Sequence, residues 1–205
     1  MPHTLMKRAL VPALSLAVVA GLTACSDAED AGHDMDAMTS PTSAQSSEPP
    51  AEDSASFNDA DVTFAQMMIP HHEQAIAMSD VLLAKDGIDP EVVDLARQIK
   101  AAQGPEIDTL TRWLDAWGVE PTSGGHGSMD GMMSEEDVQA LEEAQEAEAQ
   151  RLFLKQMIVH HEGAVEMARA EVADGRDPQA VAMAQSVVDT QSDEIRAMEG
   201  LLAGG

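Results

Sequence analysis

One cysteine, no tyrosine and 11 basic residues against 37 acidic ones set the first limits on this 205-residue chain. With Cys25 as its only thiol, the chain can form no internal disulfide. A folded domain must rest on its own core, which about 145 residues can supply. Any further soft sulfur ligand must be a methionine, and there are 14. The formal charge of −26 excludes nucleic acid as a partner, because phosphate binding needs a basic surface. That charge favours solubility and draws cations toward the surface. No hydrophobic run reaches the roughly 20 residues of a spanning helix. No segment alternates like a strand. No nucleophile–base pairing, phosphate loop or His-Glu-x-x-His phrase is present, so a hydrolase is not expected, and binding without catalysis is the first expectation.

The N-terminal end reads as an export signal. Lys7 and Arg8 precede an apolar stretch from Ala9 to Ala20. Leu22-Thr23-Ala24-Cys25 follows and resembles a bacterial lipoprotein box. The resemblance implies a signal peptide over 1–24, lipidation of Cys25, and anchoring to the outer face of the cytoplasmic membrane. Residues 25–56, rich in Asp, Glu, Ser, Ala and Pro, read as a disordered tether.

The rest of the chain contains one phrase twice. Phe64-x-x-x-Met68-Ile69-Pro70-His71-His72-Glu73-x-Ala75-Ile76-x-Met78 returns 89 residues later as Phe153-x-x-x-Met157-Ile158-Val159-His160-His161-Glu162-x-Ala164-Val165-x-Met167. Each phrase is followed by Asp-Pro, at Asp89-Pro90 and Asp177-Pro178. A second match then aligns Ala96, Ile99, Gln103, Glu106 and Ile107 with Ala184, Val187, Gln191, Glu194 and Ile195. An internal duplication is the simplest reading.

Each unit is a helix, a turn and a second helix, so the fold expected over 57–205 is an all-α four-helix bundle made of two hairpins. The first hairpin spans 57–117, a His/Met-rich loop spans 118–133, and the second hairpin spans 134–205. Asn58 or Asp59 caps the first helix, which runs to about Lys85. Asp89-Pro90 and Asp177-Pro178 open the second and fourth helices. Pro70 and Gly104-Pro105 are expected to bend their helices. Ser134-x-x-Asp137 resembles a capping box opening a third helix, with the Glu-rich stretch 135–148 as its solvated face.

On a helical wheel, His71 and His72 flank the apolar stripe with Met68 between them, and His160, His161 and Met157 repeat that layout. Each turn offers one thioether and two imidazoles within reach of one point. That donor set suits copper, above all Cu(I), and silver. Six residues are therefore the candidate metal ligands: Met68, His71, His72, Met157, His160 and His161. His126, Met129, Met132 and Met133 in the loop form a possible second metal region. Gln103, Glu106, Gln191 and Glu194 could hydrogen-bond the histidines and orient them. Two other readings stay open. In one, the histidines are polar core groups of a structural or interaction lipoprotein. In the other, a ferritin-like metal pair makes the chain an oxidoreductase, although Met stands where such sites place Glu before x-x-His.

The His-His-Glu-x-Ala-x-x-Met phrase, the Gln103 to Leu114 segment Gln-x-x-Glu-Ile-x-x-Leu-x-x-Trp-Leu, and Met129 to Ser134 together resemble the domain-of-unknown-function 305 family. The resemblance covers about residues 57–203. It implies a ferritin-like four-helix bundle, exported or lipid-anchored, in a family some of whose members are associated with copper binding and tolerance. It implies copper as the cargo, no organic cofactor, and ligation by the two Met-x-x-His-His blocks. Gly200-Leu201-Leu202 departs from the family's Trp-Leu ending.

If Cys25 carries the anchor, Cys25→Ala leaves either an unprocessed precursor or a soluble product. Membrane fractionation with lipid labelling checks this, and unlipidated wild-type protein free in the medium would refute it.

Overall fold

A computed structural model describes residues 56–121 and 131–204. It is all-α, with five helices and no strand among the described residues: α1 (Asp59–Leu83), α2 (Pro90–Trp117), α3 (Glu135–Glu143), α4 (Glu146–Asp174) and α5 (Pro178–Gly204). The signal and tether assigned to 1–24 and 25–56 lie outside the described residues, but for Ser56 itself.

Local chemistry sets the helix starts. Asn58 accepts from the backbone N–H groups of Ala60 and Asp61, while Asp61 accepts in return from the Asn58 N–H. Asp89 and Asp177 accept from Glu91 and Gln179 ahead of the first turns of α2 and α5. Pro70 and Pro105 stand inside uninterrupted helical spans, so neither ends its helix. The helix α1 ends at Leu83, two residues short of the expected Lys85.

The expected third helix is two helices. The Glu-rich stretch breaks at Ala144–Gln145, and Glu146 takes a positive φ of 49°. Lys85 accounts for the break: its ammonium donates to the carbonyls of Glu142 and Ala144 and so takes up free acceptors at the end of α3. The redirected α3 then buries Leu141. Burying a leucine side chain contributes roughly 2 kcal/mol.

Helix α1 pairs with α2, α4 pairs with α5, and the hairpins meet through α1 and α4, with α3 against both. Asn58 bonds the carbonyl of Asp174, and Lys85 bonds that of Ala144. The start of α1 therefore meets the end of α4 and the reverse, which makes the central pair antiparallel.

Two apolar clusters fill the interior. One joins Ala75, Met78 and Ile99 to Phe153, Met157 and Met198. The other joins Phe64, Met68 and Leu110 to Ala164, Ala168 and Val187. Matched positions thus sit in opposite clusters: Phe64 with Phe153, Met68 with Met157, Ala75 with Ala164. Along α1 and α4 alike, the histidine pair falls between the two clusters.

A short segment before α3 lies across this central pair. Gly131 has φ +82°, and a Cβ there would stand 2.8 Å from the Gly163 Cα, 2.9 Å from the Val159 oxygen and 3.0 Å from the His160 oxygen. Two residues on, the Met133 N–H donates to Gln74 Oε1 at 2.8 Å, and Gln74 Nε2 donates to the Met133 carbonyl at 2.9 Å. Gln74 and Gly163 occupy matched positions of the two phrases. The side-chain amide on α1 and the missing side chain on α4 together make the seat.

Gly131→Ala combines a strained φ with a collision against backbone, and should cost about 2–4 kcal/mol. Gly118→Ala, at φ +70° with open space around it, should cost only about 1 kcal/mol. Thermal melts of the two variants check the ranking, and equal losses would refute the close contact.

Candidate metal centre

Neighbouring helix positions point about 100° apart. At each histidine pair, one ring therefore faces the opposite central helix while the other faces its hairpin partner. His71 and His160 are the inward members. Their ring centroids are 3.7 Å apart with 38° between the planes. His72 and His161 face α2 and α5. His72 Nε2 lies 2.7 Å from Glu106 Oε2, and His161 Nε2 lies 2.7 Å from Glu194 Oε2. All four imidazoles are fully buried.

The hydrogen bonds leave a specific remainder. With Nε2 committed to the carboxylate, Nδ1 of His72 and of His161 is the nitrogen left over. Neither Nδ1 has a partner, and neither do both ring nitrogens of His71 and His160. Six buried imidazole nitrogens without hydrogen bonds, at about 1–3 kcal/mol each, make an expensive core if nothing else binds there.

Burial, followed by the charges of His72 and His161, pushes His71 down to about 3. Burial, followed by the charges of His71, His161 and His72, holds His160 well below the ordinary imidazole range. Both rings are neutral at pH 7, which is the ligating form.

The placement corrects one expectation. The Met-x-x-His-His turns suggest one site per phrase, but the inward histidines of the two phrases meet at a single place. A wheel drawn for one helix cannot show this, because the antiparallel crossing of α1 and α4 decides it. Met68 and Met157 are wholly buried, one in each apolar cluster. Among the described residues, no three His, Cys, Asp or Glu side chains stand together as a metal-holding group. The thioethers are then the nearby donors that could complete the set, a mixture suited to a soft, low-coordinate ion such as Cu(I).

Glu106 and Glu194 orient their histidines as expected. Gln103 and Gln191 do not: they are buried, but neither bonds a histidine among the described residues, and their Oε1 atoms have no partner. Each outer histidine offers one N–H, and the glutamate one helical turn further along takes it. His126 and Met129 lie outside the described residues. Met132 is half-buried, and Met133 packs into the cluster that holds Met157. Sequence reasoning missed Gln74, Gly131 and Gly163. The mismatch between Gln74 and Gly163 inside an otherwise matched phrase was the available signal.

A carboxyl pair also went unnoticed. Asp61 accepts from the backbone N–H groups of Asn58, Arg176 and Asp177. Buried Glu171 faces it. Burial, then the nearby Asp61 carboxylate, pushes Glu171 up to about 8, so it keeps a proton at neutral pH.

These groups set the acid–base stability of the metal-free protein. Between pH 6.5 and the lowered folded values, the unfolded chain binds one more proton at each of His71 and His160, so stability falls as pH falls. Glu171 acts in the opposite sense: its contribution is full below about pH 4.5 and is lost as pH rises through 8. Two histidines outweigh one carboxyl below pH 6.5, and the carboxyl acts alone above it. Stability should peak near pH 6.5 and decline by roughly 1.4 kcal/mol per pH unit on either side between about pH 4.5 and 8, falling more steeply below that window and levelling off above it. Denaturant melts across pH 4–9 check this, and a flat profile would refute the burial of these groups.

Three comparisons place the molecule among known proteins. The family model for the domain of unknown function DUF305 matches residues 61–202. The crystal structure of a DUF305 fragment from Deinococcus radiodurans is 33% identical, with a TM-score of 0.67 over 72% of this chain and 98% of the other. A DUF305 protein from Streptomyces coelicolor, named as a candidate secreted protein, is 32% identical, with a TM-score of 0.65 over 71% and 93%. CopM in its Cu(I)-bound form is 33% identical, with a TM-score of 0.61 over 70% and 96%, and it is also known in Cu(II)-bound and Ag-bound forms. No curated protein matches significantly. None of these names or descriptions indicates an enzymatic activity. With most of its length matched by the family model and its helical fold shared with these structures, the chain belongs to the DUF305 family.

Proposed function

We propose that this protein binds copper as Cu(I) between α1 and α4, through Met68, His71, His72, Met157, His160 and His161. The observation that carries this reading is the set of buried, unpartnered imidazole nitrogens where the two histidine phrases cross. A purely structural role leaves those nitrogens unsatisfied, whereas a soft cation takes up their lone pairs. Glu106 and Glu194 hold the outer rings with Nδ1 free, the arrangement by which a carboxylate orients a ligating histidine. CopM, which shares fold and a third of its residues, is known with copper and silver bound.

The protein acts as an exported buffer or carrier, held to the outer face of the membrane through lipidated Cys25. No helix among the described residues is long and apolar enough to cross a membrane. The two hairpins form a ferritin-like bundle that arose by internal duplication, with α3 as an addition. This reading assigns binding and no catalysis: the glutamates nearest the centre are engaged with His72 and His161 and so are placed to orient rings, not to bridge a metal pair.

Because the inward histidines meet at one place, His71→Ala with His160→Ala should lower Cu(I) affinity at least about a hundredfold while helicity persists. Met68→Leu keeps volume but deletes sulfur, so it should weaken Cu(I) more than Zn(II). Competition titration against a Cu(I) chelator, with circular dichroism of the same variants, checks both. Unchanged Cu(I) affinity in the double histidine variant would refute the site.

A further inference from the structure

A second cavity lies on the same central helix pair, toward the start of α1 and the end of α4. Its volume is about 430 Å³, and its walls include Met67 and Met167. Phe64 supplies apolar wall, Asp59, Glu166 and Asp174 are exposed carboxylates along it, and Glu171 also lines it. Glu171 is 2% exposed, and its carboxyl oxygens accept no hydrogen bond.

The two methionines differ from their counterparts in the other phrase. Met167 is half-buried, whereas Met78, at the matched position of the first phrase, is fully buried. Met67 is also half-buried and belongs to neither apolar cluster. Its matched position in the second phrase is Gln156, a buried amide that donates to the Asp137 carbonyl. Met167 packs on one side against the second apolar cluster, and Met67 against neither. Both also line one solvent-connected space, from opposite helices, that is walled in part by carboxylates.

We propose that this cavity is a second soft-cation site, in which the thioethers of Met67 and Met167 take Cu(I) or Ag(I) from solution. The chemistry is simple ligation. A univalent d10 ion accepts two thioether lone pairs, and no bond to protein is broken. The carboxylates raise the local cation concentration and offset the ion's charge without competing as soft ligands. Glu171 offers a weak third oxygen. Asp61 is excluded, since its oxygens already accept three backbone N–H groups. Met68, the residue after Met67, is buried in the core, so consecutive thioethers lead from the cavity toward the histidines. The site extends the copper reading above, but its own binding does not require the histidines.

The test uses the whole protein with Ag(I) as the probe. Methyl-13C methionine spectra, assigned by single Met→Leu variants, report each sulfur, and calorimetry reports equivalents bound. Stoichiometric Ag(I) should shift the Met67 and Met167 methyl signals, and should still do so in the His71→Ala, His160→Ala background. Met67→Leu with Met167→Leu should remove one equivalent and leave the histidine-dependent step within about twofold. Met67→Leu alone should weaken the cavity step at least about tenfold. Unmoved Met67 and Met167 signals, or an unchanged number of equivalents in the double leucine variant, would overturn the proposal. Leucine matches methionine in volume, so unchanged melts show that the fold is intact. If the histidine variant binds as wild type while the leucine variant loses an equivalent, the histidine centre is rejected and this cavity stands.

Discussion

The burial of His71 against His160 is the constraint on which the rest of the structure depends. Two imidazoles with their centroids 3.7 Å apart cannot both be charged, and neither reaches water. They hold the crossing of α1 and α4 at one register, since a shift along either helix would place a ring against the apolar cluster on one side. The two clusters lie on either side of this crossing and supply the apolar burial that keeps the rings dry. Polar groups that would be a liability in an ordinary bundle are tolerated because the surrounding core is already sufficient.

The outer histidines do different work. His72 and His161 couple each central helix to its hairpin partner through a glutamate, so the position of α2 and α5 is linked to ring orientation at the centre. The opposite flank is shaped by the segment before α3. Gly131 rests on the α4 backbone beside His160, and Met133 is clasped by Gln74 on α1. The centre is thus enclosed by two unlike walls, one of helix and carboxylate, the other of loop backbone and sulfur. The difference arises where the matched phrases themselves differ.

Charge and sulfur divide the labour. A chain at −26 attracts cations of any kind, so its surface cannot discriminate among them. With no thiol beyond Cys25, the soft donors this chain has to offer are thioether and imidazole, and methionine stands three residues before each inward histidine.

The sequence alone determined the all-α class, the hairpin unit, the helix caps and the stretch of each partner helix from which a polar side chain reaches a histidine. All of these follow from local spacing: 3.6-residue periodicity, Asp-Pro starts, and a phrase written twice. The break at Ala144–Gln145 escaped it, because the Lys85 ammonium that stabilises that break comes from a distant helix. So did the buried Asp61 and Glu171 pair, whose members are 110 residues apart. Above all, two similar phrases could have formed two separate sites or one joint one. Only the antiparallel crossing of α1 and α4 brought the inward rings His71 and His160 together, because a helical wheel specifies direction around an axis and says nothing of what stands opposite.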